Sequence, residues 1–144
     1  HIIGKDKNVR DIAMMMSEKL GLPIVQNRMK KQYPKELGRF ADAGPEEFLG
    51  LIEGASFIVT NSFHATLFAI LYERNFITIP HKTYPERMLY LLEQAGLTDH
   101  LMEGLPENPE EFTMAEPDYA KVRERLAERQ EASRKFLKNC LKEI

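Results

Sequence analysis

The sequence predicts an α/β fold: an open parallel sheet of about four strands flanked by helices. Three observations predict it. Short apolar runs alternate with amphipathic stretches along the chain, the order that builds parallel strands joined by crossover helices. Two of those runs, residues 56–60 and 76–79, carry almost no charge, as strands covered on both faces require. Helix boundary signals fall between the runs, with Gly21 before Pro23, Pro45 before two acids, and Gly96 after a periodic stretch.

Each element follows in order. Ile2 and Ile3 end a first strand, and Lys5 to Asn8 form a loop. Val9, Ile12, Ala13, Met16 and Leu20 recur at helical spacing, and Gly21 supplies a left-handed stop. Residues 23–26 read as the second strand. Residues 27–43 read as a long loop, basic between Arg28 and Arg39, whose cations suit an acidic ligand or simply face water. Pro45, Glu46 and Glu47 open a helix in the way the helix dipole favours, with Phe48, Leu51 and Ile52 as its inner stripe and Gly54 near its end. The third strand is 56–60, a helix runs from Phe63 to about Arg74, and the fourth strand is 76–79. Pro85 and Glu86 begin a helix that Gly96 ends. Residues 97–114 read as loop with a short helix near 109–112. Residues 115–144 carry a long charged terminal helix with Tyr119, Val122, Leu126, Phe136, Leu137 and Leu141 as its apolar members. A strand order of 2-1-3-4 is expected, which puts a switch point between the first and third strands.

Composition narrows the classes. The chain has 144 residues, the size of one domain, and 29% of them are charged with a net charge of −2. That balance argues against a duplex nucleic-acid binder. No apolar run is long enough for a membrane span. The single cysteine, Cys140, excludes an internal disulfide and a Cys-built zinc site, and it favours a reducing, cytoplasmic compartment. The chain opens on His1 rather than Met, so a fragment of a longer protein is expected, with His1 a tag remnant.

The turn Thr60-Asn61-Ser62-Phe63-His64 is the strongest functional candidate. It lies where a buried strand gives way to a helix, the edge of an open parallel sheet at which ligands dock. The unpaired N–H groups of a helix start attract anions. Asn61 or Ser62 suits the cap position. Phe63 is expected to turn inward as packing. His64 is then placed in the first helical turn, able to hold an anion, to donate a proton, or both. Ala65 and Thr66 are small enough to let a ligand approach. A cap followed by a histidine with no ligand is the plainer alternative.

At these residues the sequence resembles the polysaccharide pyruvyl transferase family. The resemblance is carried by Gly44-Pro45-Glu46-Glu47-Phe48-Leu49, by the run from Ala55 to Ile70, by Phe76-Ile77, and by Arg87-Met88-Leu89-Tyr90-Leu91-Leu92 with the following Glu93 to Leu97. It extends from about Ile2 to Leu101. It implies a Rossmann-like domain, the C-terminal half of a GT-B-like enzyme of two domains with its active site in the cleft between them. It implies transfer of a pyruvyl group from phosphoenolpyruvate, as co-substrate, to a sugar or lipid-linked saccharide, with no metal or other cofactor. The implied catalytic residue is His64. Asn61 and Ser62 would shape the donor site, and Arg87 would clamp an anion through its two-pronged guanidinium. Family members commonly have Gly where this chain has Ala65, so a methyl group is expected to crowd a close backbone approach.

His81 and Lys82 follow the fourth strand and are further candidates for the same edge. Arg87 in the first turn of a helix runs against the dipole, which suggests a bound anion or a carboxylate partner. Tyr84 is the aromatic that a nucleotide-binding alternative would use for stacking, as in a nucleotide-sugar or phosphate-binding domain of a glycosyltransferase. A non-catalytic interaction domain of receiver-like shape is the other alternative, and the lack of an acidic cluster after the first strand argues against a phospho-acceptor. Met14, Met15 and Met16 suit a core or a neighbouring domain. His100 is expected to be structural and Cys140 inert.

Overall fold

The computed structural model describes residues 2–3, 7–26, 38–39 and 44–142. They form a parallel sheet between two layers of helix. In chain order the elements are β1 (Ile2–Ile3), α1 (Lys7–Leu20), β2 (Val25–Gln26), β3 (Gly38–Arg39), α2 (Pro45–Glu53), β4 (Ile58–Thr60), α3 (Phe63–Leu71), β5 (Phe76–Thr78), α4 (Pro85–Ala95) and α5 (Tyr119–Lys142), with one 3-10 turn at Thr98–His100 between α4 and α5. The sheet order is β3-β2-β1-β4-β5, and every pairing is parallel. The sheet therefore has five strands, not the four expected. The extra one, β3, lies in the stretch read as loop. Gly38 and Arg39 carry no β-branched or alternating pattern, and their pairing with Val25 and Gln26 supplies the extended conformation. Without this edge strand, the order is the one expected. The remainder of the basic loop, 28–37, lies outside the described residues.

Side-chain alternation along β4 and β5 divides the core. Ile58 and Phe76 face one side, where Ile52 of α2, Ala65, Ala69 and Ile70 of α3, Leu92 and Ala95 of α4 and Val122 of α5 close over them. Val59 and Ile77 face the other side, against Val9, Ile12, Ala13, Met15 and Met16 of α1. The period of two that makes a strand two-faced thus requires helices on both sides. Met15 and Met16 are core, whereas Met14 is exposed. Residues 102–114 cover part of the α1 face, and the helix expected near 109–112 is a single turn closed by the Glu111 N–H on Asn108 O at 3.2 Å. The exposed edge of β5 is protected. Leu101 bridges Thr78 in parallel, and the Met102 N–H donates to Thr78 O at 2.9 Å.

Helix ends explain the short connections. α1 stops at Gly21, φ 64°, with the Leu22 N–H reaching back to Ser17 O at 3.2 Å. α3 ends the same way without a glycine. Glu73 takes φ 55°, and the Glu73 and Arg74 N–H groups return to Ile70 O and Ala69 O. Glu73 also pairs with Arg123 of α5, and the Tyr119 hydroxyl donates to Arg74 O, so α5 is fastened to this turn at two points. Burial, with Glu73 nearby, pushes the Tyr119 hydroxyl above the ordinary tyrosine range, which keeps it a donor. His100 is buried, as its structural reading requires. Its ring stacks on Phe76, and Nδ1 must carry the proton because it faces Phe76 O at 3.0 Å.

α4 ends on Gly96, φ 72°, and a Cβ there would stand 2.6 Å from the Arg125 guanidinium of α5. The positive backbone angle strains any side chain there, and a Cβ would also push the exposed end of the Arg125 side chain aside. Gly96→Ala is expected to lower stability by about 1–2 kcal/mol in urea unfolding. A midpoint unchanged from the parent chain would contradict this account of the left-handed stop at Gly96.

Candidate functional site

The switch point lies between β1 and β4, where the chain has filled the sheet on one side and crosses to the other. The carboxyl end of β4 leads directly into the Thr60–His64 turn. Three buried hydroxyl groups build that turn. Thr60, Thr66 and Thr78 are all fully buried. Thr60 Oγ1 accepts the Ser62 N–H at 3.0 Å, and Thr60 O accepts the Ile79 N–H at 2.8 Å. Thr66 Oγ1 donates to Ser62 O at 3.1 Å, so the contact of 2.9 Å between the Thr66 and Thr78 hydroxyls must have Thr78 as donor. A relay from β5 through α3 to the turn results. It fixes where α3 begins relative to the end of β5.

Ser62 is the cap of α3. Its extended backbone and its Oγ, which accepts the Ala65 N–H at 3.5 Å, satisfy one of the donors at the helix start. Helix geometry leaves the N–H groups of Phe63 and His64 directed out of the helix end. Asn61 is half-buried beside them, and the His64 side chain is exposed. The imidazole therefore projects from the surface at the carboxyl edge of the sheet and is not enclosed in the core.

Phe63 does not turn inward as expected. It stays half-buried at the margin of the inner stripe formed by Ala65, Thr66, Ala69 and Ile70. One edge-to-face contact places its ring 5.8 Å from the His64 ring at 87°, and the Arg87 guanidinium lies over its face, 4.9 Å from the centroid. Arg87 is the third residue of α4, 24 positions further along the chain from Phe63 and carried there by β5 and the turn after it. A single phenyl ring thus gathers the two sequence-predicted residues best suited to an anion. Among the described residues no carboxylate pairs with Arg87. Stacking also leaves the guanidinium edge, which carries the donors, able to grip a planar carboxylate or a phosphate. The signal for the role of Phe63 was available in the α3 periodicity, which puts Phe63 off the inner face.

The expectations for Ala65 and Thr66 are corrected. Ala65 and Thr66 are fully buried, so neither lines an approach for a ligand, and the Ala65 methyl packs into the core instead of crowding the turn. His81 and Lys82 are exposed after β5, and His81 Nδ1 accepts the Thr83 N–H at 3.2 Å, which ties that ring into its own turn. Tyr84 stands exposed immediately before α4. Among the described residues no group of three His, Cys, Asp or Glu is arranged to hold a metal ion, and no helix is long and apolar enough to cross a membrane. An apolar groove of about 330 Å3 lies at the opposite, amino edge of the sheet between α1 and α2, lined by Met16, Leu20, Ile24, Leu51 and Phe57 among others. It holds none of the polar residues of the turn.

The model of the polysaccharide pyruvyl transferase family matches residues 3–83. The chain belongs to that family. The matched span contains β4, the Thr60–His64 turn, α3, β5, His81 and Lys82, and stops before Arg87. No curated protein and no solved structure matches the chain. Membership of the family makes the chain a transferase-type domain with a saccharide as the substrate class.

The hydroxyl relay makes a direct prediction about the turn. Thr66→Val removes the acceptor of the buried Thr78 hydroxyl and is expected to cost about 1–3 kcal/mol in thermal or urea unfolding. Thr66→Val with Thr78→Val together should recover part of that loss, because no buried donor is then left unmatched. A double variant as unstable as the sum of its singles would show that the two hydroxyls do not act as a pair.

Proposed function

We propose that the chain is the C-terminal, Rossmann-like half of a GT-B-like enzyme of two domains, working in the cytoplasm. The reaction is transfer of a pyruvyl group from phosphoenolpyruvate to two hydroxyls of a sugar destined for a cell-surface polysaccharide. The observation that carries this reading is the gathering of His64 and Arg87 on Phe63 at the open start of α3, in a chain whose family is that of pyruvyl transferases.

The donor carries a phosphate and a carboxylate on one three-carbon unit. The site offers two matching features, a helix start with outward N–H groups and a guanidinium edge. In this reading the phosphate rests on the Phe63 and His64 N–H groups and the Ser62 hydroxyl, and Arg87 grips the carboxylate. Asn61 is within the same turn and orients the donor. His81 and Lys82 border the site.

The chemistry then needs one acid and one base. Protonation of the terminal methylene carbon makes it a methyl group and leaves the adjacent carbon electron-poor. A sugar hydroxyl oxygen adds to that carbon and gives up its proton. A second hydroxyl oxygen displaces the phosphate, passes its proton to that leaving group and closes the ketal. His64 is placed to supply a proton to the departing phosphate or to the methylene carbon. No metal or other cofactor is required for these steps. The partner hydroxyls and the base come from the sugar and from the other half of the enzyme, so this chain alone is expected to bind donor without turnover.

Calorimetric titration of the chain with phosphoenolpyruvate tests this. Binding is expected, with a nucleoside diphosphate binding more weakly. His64→Ala and Arg87→Ala should each weaken phosphoenolpyruvate binding about tenfold or more, the loss of one charge-assisted contact. Tighter binding of the nucleotide, or variants that bind as the parent does, would overturn the donor assignment in favour of a nucleotide-sugar domain.

A further inference from the structure

The last part of α5 carries a surface that the fold leaves uncovered. α5 runs antiparallel to α4: Arg125 lies over Gly96 at the end of α4, and Arg129 Nη2 donates to the Tyr90 hydroxyl in its middle at 3.1 Å. At about 1.5 Å per residue, α5 passes the start of α4 near Arg134 and continues beyond it. From Ala127 to Leu141 every residue is exposed. Phe136, Leu137 and Leu141 are 68%, 59% and 71% exposed, the most exposed large hydrophobic residues among those described.

The charge pattern changes at the same place. Residues 121–131 interleave Lys121, Arg123, Arg125 and Arg129 with Glu124, Glu128 and Glu131. Residues 132–141 carry Arg134, Lys135 and Lys138 with no acid at all. At about 100° per residue, Phe136, Leu137, Cys140 and Leu141 share one side of the helix. The three cations occupy the other side, with Arg134 bordering Leu141.

We propose that this segment is an interfacial helix that docks on an anionic phospholipid surface, with Phe136, Leu137 and Leu141 at the headgroup–acyl boundary. A basic amphipathic segment of this kind is the pattern that lies in a membrane interface without spanning it. Long cationic side chains bury their stems and keep their charges among the lipid phosphates. A second copy of the chain would cover the apolar side but leave the three cations, which lie on the other side, without a partner, whereas an anionic surface engages both. The overhang leaves the domain past the start of α4, the edge that carries His64 and Arg87. Docking through it would hold that edge at the bilayer. If the proposed function holds, a lipid-linked saccharide would present its sugar there; membrane binding itself does not depend on that function.

The single cysteine lies on the apolar side of the segment, so an environment-sensitive fluorophore on Cys140 reports insertion directly. The labelled chain is mixed with phosphatidylcholine vesicles, with and without phosphatidylglycerol, and binding is measured in parallel by co-sedimentation of unlabelled protein. Binding and a blue shift are expected only with the anionic vesicles, and both should fade as salt is raised. Arg134→Gln, Lys135→Gln and Lys138→Gln together should lower partitioning on the order of 100-fold, since each cation near such a surface contributes roughly fivefold. Leu137→Ser with Leu141→Ser should lower it about tenfold or more. No binding to anionic vesicles, equal binding to neutral ones, or variants that bind as the parent does would each overturn the proposal. So would a dimer in sedimentation equilibrium that Leu137→Ser with Leu141→Ser dissociates while vesicles capture nothing. Phosphoenolpyruvate titration of the same samples is a separate readout, and its failure would bear on the donor site alone.

Discussion

The hydroxyl relay from Thr78 through Thr66 to the Ser62 carbonyl is the interaction on which the site depends. Three threonines are buried among aliphatic side chains, where an unmatched hydroxyl is costly and a matched one holds a defined geometry. The relay joins the last residue of β5 to the first turn of α3. It therefore sets both the position of the α3 start, with Ser62 and His64, and the point from which the chain leaves β5 on its way to Arg87. Phe63 completes the arrangement from the outside, with one ring against His64 and under Arg87. Without the relay the α3 start is free to slide along the sheet edge, and the ring contacts lose their common origin.

The overall plan was legible because its causes are local. Gly21 and Gly96 stop their helices for a reason visible in one residue, the left-handed backbone angle. Pro45 and its two acids open α2 for an equally local reason. The apolar runs before Thr60 and Thr78 announce strands covered on both faces. What was not legible depends on tertiary pairing. Gly38 and Arg39 are extended because β2 lies beside them, and nothing in a glycine–arginine pair states this. Glu73 holds a left-handed angle usually given to glycine, and the α3 end it makes is supported from outside by Arg123 and Tyr119 of α5.

The site shows the same division. His64, and a cap at either Asn61 or Ser62, could be placed from the strand-to-helix junction alone. Arg87 could be singled out because it runs against the helix dipole, but its meeting with Phe63 required the fold. Phe63 looked like packing because aromatic residues usually are. Ala65 and Thr66 looked accessible because they are small, whereas the turn of the helix carries both into the core. In a helix start, small size and exposure are separate properties, and the helical angle decides between them.

The account rests on an anion seated at the start of α3 between His64 and Arg87. A crystal structure of the chain with phosphoenolpyruvate tests that most directly. Donor oxygens within hydrogen-bond reach of the Phe63 and His64 N–H groups, with the Arg87 guanidinium still stacked on Phe63 and gripping the carboxylate, are the expected result. Donor found instead in the apolar groove between α1 and α2, or at the carboxyl edge with Arg87 swung away and no contact to the turn, would contradict it.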